Sequence, residues 1–399
     1  MKDLLVFTEN YARGGGNRYM IDMVNSLEAD YQQVRLASNA GGIFSEDTRR
    51  LNCPVIQHEV PFITRSRISN HLTGLPKALR FFIAALLVLL EPLFFLVNIV
   101  MFVRLIRELR PTNILSCNGG YPAAQACLAI VVAARMLRVP VALSIVSMPA
   151  PRRSFMWMYE KLMDGFVWNA ADVIVVNARA IADALCKLRD ALPNKIEVVH
   201  NGLEDRQPIA LAKKEGNQFV IGCIARMDVS KGVLLLFEAF ARLARNHPEM
   251  RMVLAGAGDA SAELARRTET LGLQQQVQLL GHYDGDVGAL LASFDLYVFP
   301  SLWEGFPYGV VEAMRSGNVI VATRIGGIPE AITDGKEGLL ITPGATDEIA
   351  AAIERLMADP AMRRELGHNA RLRFESELAL DKMHVRAREA LSSTFRNKD

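Results

Sequence analysis

Short apolar runs alternate along the chain with longer segments whose apolar positions recur every three or four residues. In the first half, the runs that predict buried strands are Leu4–Thr8, Val34–Ser38, Ile114–Cys117, Val141–Val146, Val173–Val176 and Ile196–Val199. A polar segment, Glu204–Gln218, then predicts a linker. After it, the predicted strands are Phe219–Ile224, Arg251–Ala255, Val277–Leu280 and Asp295–Phe299. Alternating strands and helices predict parallel sheets, and the restart predicts two doubly wound α/β domains.

One segment, Phe81–Ile106, is apolar except at Glu91, Pro92, Asn98 and Arg104. About 20 apolar residues span a bilayer, but a single span would put strands of one sheet on opposite sides of the membrane. A hairpin at the proline leaves arms of about 15 Å against a core of about 30 Å. The favoured interpretation is a pair of helices at about residues 75–109 with one face in the membrane surface. A wholly buried helix pair is the main alternative, and a membrane span is the weakest.

Basic residues around this segment favour contact with an anionic membrane. They are Arg65, Arg67, Lys77, Arg80, Arg104, Arg107 and Arg110. Solvation of the helix ends is the alternative. Downstream, Met148–Trp157 joins prolines, arginines and aromatic residues after a strand end. It predicts an acceptor-side loop in which Arg152 and Arg153 bind a lipid phosphate or pyrophosphate, and an ordinary exposed loop is the alternative.

The most informative segment is Ser301–Met314, which follows a predicted strand and turns into a helix at Pro307, with Gly317 just past the helix end. Glu304 precedes the helix start and Glu312 lies about one turn inside. Free amides and the positive dipole end make such a start suitable for an anion such as phosphate.

Two other loops follow predicted strand ends. Ala225–Gly232 carries Arg226, which can bind phosphate oxygens through paired N–H groups, and Lys231, a point charge. Two unremarkable surface cations are the alternative. Arg13–Gly16, before a helix predicted from about Asn17, is typical of loops that approach phosphate, although turns also use glycine freely.

Glu304 and Glu312, with Ala322–Glu330 after them, resemble the signature of the retaining GT-B glycosyltransferases of family 4, also called group 1. The resemblance is specific over Phe219–Ile341 and looser elsewhere. It implies two Rossmann-like domains that face each other across a cleft, with a C-terminal helix crossing back to the first domain. The domains expected are 1–203 for the acceptor, 204–375 for the nucleotide-sugar donor, and a crossover helix at 376–399.

The resemblance also implies residue roles. Glu304 faces the donor sugar, Glu312 binds the ribose, and Arg226 and Lys231 stabilise charge on the departing phosphate. The catalytic residues expected are Glu304, Arg226 and Lys231. The donor-binding residues expected are Gly15, Gly16, Arg226, Lys231, Gly256, His282, Glu304, Phe306, Pro307, Tyr308, Gly309 and Glu312. The acceptor-binding residues expected are Asn118, Ser147, Arg152 and Arg153.

The chain departs from the family at one position. Many relatives have a histidine just after the strand equivalent to Val141–Val146, where this chain has Ser147 or its neighbour. Serine is a poor base unaided. Either the departing phosphate oxygen helps to deprotonate the acceptor, as front-face chemistry implies, or the protein is a weak or inactive relative.

Composition and short motifs limit the classes of partner and cofactor that the chain is expected to bind. The net charge of +2 over 399 residues gives no case for nucleic acid. The five cysteines show no pairing pattern and predict buried thiols in a reducing cytosol, and the N-terminal apolar run is too short for a signal peptide. Leu254–Asp259 lacks the third glycine of an NAD site. Asp286 predicts a helix N-cap rather than a metal ligand, and the resemblance implies no essential metal and no cofactor besides the co-substrate.

The function expected is transfer of a sugar, with retention, from a nucleotide diphosphate sugar, UDP or GDP, to a lipid-linked acceptor in cell-surface polysaccharide or glycolipid assembly. The expected location is cytoplasmic, peripheral to the inner face of the cell membrane. One alternative is a nucleotide-sugar-binding scaffold with little or no catalysis. Another is a transferase with a soluble acceptor, in which Phe81–Ile106 is ordinary core.

Overall fold

The computed structural model describes residues 2–9, 14–39, 48–70, 72, 74–206 and 218–395. The chain divides into two compact units, Met1–His200 with His384–Asp399, and Asn201–Met383. Within these described residues, each unit contains one sheet in which the strands pair in parallel, as the strand–helix alternation predicts. Most of the predicted linker, residues 207–217, lies outside the described residues.

The first sheet has seven strands in the order β3-β2-β1-β4-β5-β6-β7. They are β1 (Asp3–Thr8), β2 (Gln33–Ser38), β3 (Val55–Glu59), β4 (Asn113–Asn118), β5 (Val141–Ile145), β6 (Val173–Val176) and β7 (Ile196–Val198). Strands β1, β4, β5 and β6 are buried along their whole length, which is why apolar runs predict them. Edge strand β3 has no fully buried residue and no apolar run, and the sequence pattern misses it.

The helices described in the first unit before His200 are α1 (Gly15–Leu27), α2 (Arg65–Asn70), α3 (Lys77–Leu89), α4 (Glu91–Leu109), α5 (Gln125–Met136), α6 (Trp157–Ala170) and α7 (Arg179–Arg189). Helix α1 begins two residues earlier than predicted, after an extended Gly14 with φ −178° and ψ −179°. Gly15 and Gly16 are therefore the first helical residues rather than part of a loop. Arg13 lies outside the described residues.

The apolar segment forms α3 and α4, which meet at Leu90 with a bend of 59°. The helix axes bend rather than reverse, so the two helices do not form a hairpin at the proline. The wholly buried interpretation is wrong, because Phe81 and Phe82 are 72% and 71% exposed. Among the described residues no single helix is long and apolar enough to cross a membrane, while this bent pair passes on length and composition when taken together.

The inner side of α4 packs on the first sheet. Phe102 meets Phe7 of β1 edge to face, with ring centroids 4.8 Å apart. Asn98 is fully buried because its amide bonds both backbone groups of Ile63, with Nδ2 to the carbonyl oxygen at 2.7 Å and Oδ1 to the N–H at 2.9 Å. A polar residue in the middle of an apolar segment is thereby satisfied.

The second sheet has six strands in the order β10-β9-β8-β11-β12-β13. They are β8 (Phe219–Ile224), β9 (Met250–Ala255), β10 (Val277–Gly281), β11 (Leu296–Phe299), β12 (Ile320–Thr323) and β13 (Leu339–Ile341). Its helices include α8 (Val233–Ala244), α9 (Ser261–Thr270), α10 (Val287–Ala292), α11 (Tyr308–Arg315), α12 (Ile328–Ala331), α13 (Thr346–Ala358) and α14 (Pro360–Arg373). The Asp286 N-cap is confirmed, since its carboxylate accepts from the amides of Gly288 and Ala289.

After α14 the chain makes a π-helical turn, Phe374–Leu378, and begins its last helix, α15 (Leu380–Phe395), four residues later than predicted. The break occurs where Leu380 N–H donates to the Leu203 carbonyl at 2.8 Å. Within the first unit, Arg388 of this helix donates to the Ser26 carbonyl at 2.6 Å. The prediction of buried cysteines holds for Cys117, Cys127 and Cys223, while Cys53 and Cys186 are partly exposed.

Candidate functional site

The second sheet has its switch point between β8 and β11, because the chain leaves β8 towards β9 and later returns on the other side. Ligands bind beyond the carboxyl ends of strands at such points. The loop after β8 carries Arg226 and Lys231, and the loop after β11 carries Glu304. The topology therefore puts residues from distant sequence at one edge of the sheet.

Lys231 and Glu304 form an ion pair across the switch point, with Nζ 2.6 Å from Oε1. Their side chains are 17% and 11% exposed, so the pair is shielded but accessible. The two loops are tied by their backbones, since Leu302 N–H donates to the Ser230 carbonyl at 2.7 Å. The predicted cation and the predicted acid are thus in direct contact.

Two glycines allow this approach. Gly232 has φ +66°, and a Cβ there would lie 1.9 Å from the Pro300 carbonyl oxygen. Gly326 has φ +49°, and a Cβ would lie 2.1 Å from the carbonyl oxygen of Glu304. Larger residues at either position would push the loops apart, because no side-chain atom fits at these distances.

Tyr297 of β11 reports where the two acids lie, and the sequence analysis missed it. Burial raises the pKa of Tyr297 well above its usual value, and the charges of Glu312 and Glu304 raise it further. Its hydroxyl donates to the Ile224 carbonyl at 3.2 Å. Both carboxylates therefore act on one buried hydroxyl. As a central residue of a buried strand, Tyr297 gave no signal beyond core packing.

Helix α11 begins at Tyr308, one residue after the prediction, and Pro307 is its N-cap with φ −77° and ψ 128°. Phe306 is buried, and its carbonyl accepts from Asn201 Nδ2 at 2.5 Å. A Cβ on Gly309 would lie 3.0 Å from the Tyr297 hydroxyl, so this turn of the helix sits tightly on β11. Gly317, with φ +71°, follows the helix end as predicted.

The other predicted donor residues lie further along the same edge of the sheet. Arg226 is 70% exposed and pairs with Asp228 at 2.8 Å rather than with an acid of the β11 loop. Gly256 follows β9 with φ +138°, and a Cβ there would lie 1.8 Å from the Ala225 carbonyl oxygen. His282 follows β10, is exposed, and lies 3.1 Å from Asp284 through Nε2 and Oδ1.

The first sheet has its own switch point between β1 and β4, where a cavity of about 190 Å³ lies. Gly16 and Asn118, predicted separately, both line it. Asn118 is 1% exposed, its Oδ1 accepts from Gly120 N–H at 2.9 Å, and its Nδ2 has no hydrogen-bond partner in the described part of the chain. Ser147 lies one residue beyond the cavity, against Gly120. Glu9 also lines the cavity and was missed.

Arg152 and Arg153 do not present free charges for phosphate. Arg152 Nε lies 2.7 Å from Asp164 Oδ2, and its side chain is 9% exposed. Arg153 binds Glu91 and Glu160. The predicted phosphate contacts are therefore replaced by internal ion pairs. The alternative of an ordinary exposed loop is equally wrong for these two side chains.

Glu160 and Asp164 share a further cation, the fully buried Arg189, whose Nη1 lies 2.7 Å from Glu160 Oε2 and 3.6 Å from Asp164 Oδ2. Burial raises the pKa of Asp164, while a 2.5 Å hydrogen bond from the Tyr121 hydroxyl opposes that rise. Sequence spacing gave no sign of these pairs, because the partners lie on different elements.

Family models match both halves of the chain. The model described as Glycosyltransferase Family 4 matches residues 13–207. The model described as Glycosyl transferases group 1 matches residues 205–373. Together they include the switch point of the second sheet and all the predicted site residues.

Known proteins show the same likeness. The MMP alpha-(1->4)-mannosyltransferase of Mycolicibacterium hassiacum is 33% identical over 205 residues, which are 51% of this chain and 49% of that protein. The chain spans about half the length of the curated relatives it matches. HepE of Anabaena, solved in complex with UDP, superposes with a TM-score of 0.76 at 22% identity over 98% of this chain and 100% of that one. A glycosyltransferase from Rickettsia africae gives 0.77 at 16% identity, with 100% and 99% covered. At such identities these structures establish the fold.

Proposed function

The chain belongs to the group 1 glycosyltransferases of GT-B fold, and from that premise we propose that it transfers a sugar from a nucleotide diphosphate sugar to an acceptor hydroxyl with retention. The observation that carries the proposal is the Lys231–Glu304 ion pair at the switch point of the second sheet. UDP is the proposed nucleotide because HepE binds it, and GDP is the alternative.

Departure of the nucleotide builds negative charge on its β-phosphate. In the proposal, Lys231 gives up part of its contact with Glu304 and binds this phosphate, and the N-terminus of α11 adds its positive dipole end. Arg226, exposed on the same loop, contributes a second cation. Glu304, released from Lys231, faces the sugar, and Glu312 binds the ribose.

The bond between the anomeric carbon and the β-phosphate oxygen breaks as the acceptor oxygen bonds to the same face of that carbon. The acceptor proton passes to the departing phosphate oxygen, so the step needs no histidine at Ser147. Because the cations of the protein meet the charge, we propose that transfer needs no metal ion, and turnover should survive EDTA.

The first unit is the proposed acceptor side. The buried Asn118 Nδ2, without a partner among the described residues, offers a donor to an acceptor oxygen in the cavity that Gly16 also lines. Arg152 and Arg153 are not included among the proposed acceptor-binding residues, because they form ion pairs with Asp164 and Glu160. Gly15, Gly16, Gly256 and His282 stay predictions as donor contacts.

The proposed acceptor is lipid-linked, with the protein held at an anionic membrane surface in cell-surface glycan assembly. An exposed apolar row on α3 and α4 supports this. Its members are Phe81, Phe82, Leu86, Leu89, Leu93, Leu96 and Val100. Exposed Arg104 and Arg107 lie on the same α4 helix, and anionic lipid attracts such residues.

The test starts with a thermal-shift screen of nucleotide sugars, since a ligand that binds only the folded protein raises its Tm. Product is then measured with the radiolabelled donor and membrane lipid extract. Glu304→Gln should lower turnover about 10²- to 10³-fold through loss of transition-state stabilisation, and its Tm should equal that of the wild type. Glu365→Gln, an exposed acid on α14, is the matched control and should keep full turnover.

Unchanged turnover in Glu304→Gln would contradict the assignment of Glu304 as a catalytic residue. A wild-type protein that binds the nucleotide sugar and forms no product with lipid extract or soluble sugars would instead be the scaffold. Product with soluble sugars alone would favour the soluble acceptor.

A further inference from the structure

Helix α6 has an unusual distribution of polarity for a helix on a protein surface, because it buries two acids and exposes several large apolar residues. Its acids, Glu160 and Asp164, are 0% and 1% exposed. Beside them Met163, Val167 and Trp168 are buried as well. Four further large apolar residues of the helix, and one from the turn before it, nevertheless point outwards. This α6 face consists of Phe155, Trp157, Met158, Leu162 and Phe166. Surface helices normally bury the apolar stripe and expose the charges.

Ion pairs beneath the helix hold the two acids in this orientation. Glu160 contacts Arg153 and Arg189, and Asp164 contacts Arg152 and the Tyr121 hydroxyl. Rotating the helix to bury its exposed apolar residues would separate the buried Arg189 from Glu160 and would expose Val167 and Trp168, both of which are unfavourable. The ion pairs therefore fix the orientation of the helix, and the residues of the α6 face stay exposed.

The same cluster joins α6 to the α3–α4 bend. Glu91, the first residue of α4, binds Arg153 and lies 3.2 Å from Arg65. The Tyr159 hydroxyl of α6 donates to the Glu91 carbonyl at 3.4 Å. Glu91 therefore connects the α6 face to the helix pair that carries the exposed row of α3 and α4.

The charge of this surface indicates its partner. Between residues 154 and 170, Lys161 is the one exposed charged residue, and its Nζ lies 4.8 Å from the ring centroid of Trp157. A tryptophan beside a lysine, among aliphatic side chains and without exposed acids, is typical of helices lying in a lipid interface. A soluble acidic partner would need more cations than this face offers.

We infer that the α6 face is a second membrane-docking element, which inserts into the headgroup region of an anionic bilayer together with the α3–α4 row. The inference rests on the proposed function for the presence of a membrane. It adds that the β5–α6 connection, with Ser147 at its start, meets the bilayer, so that a lipid-linked acceptor reaches the first unit from the α6 side.

Co-sedimentation with vesicles of phosphatidylglycerol and phosphatidylcholine tests this. The triple variant Met158→Gln, Leu162→Gln, Phe166→Gln should bind at least about tenfold more weakly than wild type, because three apolar contacts with lipid are lost. The matched control is Leu271→Gln, Leu372→Gln, Val385→Gln, which changes three exposed apolar residues outside this surface and should bind like wild type.

A second readout uses Trp157. Vesicles with brominated lipids should quench the fluorescence of wild type, and Trp157→Phe should lose most of that quenching. Wild-type vesicle binding by the α6 triple variant would overturn the inference, and so would a dimer in wild type that this variant dissociates. If the double variant Phe81→Gln, Phe82→Gln lost vesicle binding and the α6 triple variant did not, only the α3–α4 row would contact the membrane, and the inference would be overturned. The rise in Tm on binding the nucleotide sugar should be unchanged in the α6 variant, which separates membrane docking from donor binding.

Discussion

Lys231 and Glu304 form one ion pair at the carboxyl edge of the second sheet, whereas Arg152, Arg153 and Arg189 share Glu91, Glu160 and Asp164 beneath α6. In the buried cluster each acid has a cation or hydroxyl partner on another element, so the charges serve the fold. At the sheet edge, a single accessible pair can exchange one partner for a ligand.

The difference shows why residue type does not reveal role. Arginines in a loop after a strand predict phosphate binding in both places, and only the partners separate them. A cation whose partner is fully buried has a structural role. A cation whose partner is itself a predicted site residue, at a topological switch point, is available for chemistry.

The largest effect is expected on stability, from the buried cluster. Arg189→Met leaves Glu160 without its fully buried cation, so the free energy of unfolding should fall by about 3 to 5 kcal/mol. Urea denaturation measures it. Arg242→Met, which removes an exposed arginine paired with Asp347, is the control and should keep the wild-type midpoint. An Arg189→Met protein as stable as wild type would contradict the structural role of the cluster.

At the sheet edge the loss should fall on activity. Lys231→Met removes a cation from the departing phosphate, and kcat/KM should drop about 10² to 10³-fold. Stability should change far less than in Arg189→Met, because Glu304 can still reach solvent. Steady-state kinetics and urea denaturation on the same sample check both. A variant that unfolds readily but turns over normally when folded would reverse the comparison.

A third prediction concerns pH and the cluster. The Tyr121 hydroxyl stabilises the ionised Asp164 and so opposes the rise that burial causes in the pKa of that carboxyl. Tyr121→Phe should therefore raise the Asp164 pKa further and lower stability by about 1 to 3 kcal/mol at neutral pH. As pH falls and Asp164 is protonated in the folded state, the lost bond matters less and the difference from wild type should shrink.

Urea denaturation of both proteins at several pH values follows that difference. Tyr159→Phe is the matched control, since its hydroxyl makes only long contacts of 3.4 Å, and it should show a smaller loss. A Tyr121→Phe deficit that grows towards acid pH would mean that the hydrogen bond favours the protonated carboxyl instead.

The sequence predicts the fold better than the site. Strands such as β1 and β6 are buried along their whole length because both faces of a parallel sheet are covered, and their apolar runs identify them from the pattern alone. Edge strand β3 lacks that pattern because it is partly exposed. The Asp286 cap and the Gly317 helix end were also predictable, since both depend on local backbone geometry.

Contacts between distant residues could not be read in this way. Lys231 and Glu304 are 73 residues apart, and Arg153 and Glu91 are 62 apart. Family resemblance supplied the first pair as site residues, but without their direct contact. For Arg153, sequence reasoning provided no sign of its ion pair with Glu91, and nothing in the α6 segment indicated that its two acids are buried while several large apolar residues are exposed.

The smallest effect is expected from substitution of Arg226. It tests whether the more exposed of the two cations at the sheet edge contributes less to activity. Its guanidinium is 70% exposed, against 17% for the Lys231 side chain, so water screens its charge more strongly. Arg226→Gln should therefore raise the donor KM by about tenfold, the scale of one weakened charge-assisted hydrogen bond, with stability unchanged. That loss should diminish in high salt, whereas the loss in Lys231→Met should persist because a shielded charge is screened less. Kinetics of both variants at low and high ionic strength would measure the contrast. An Arg226→Gln loss as large and as insensitive to salt as that of Lys231→Met would mean that the Arg226 side chain leaves Asp228 and becomes shielded from water when the donor binds.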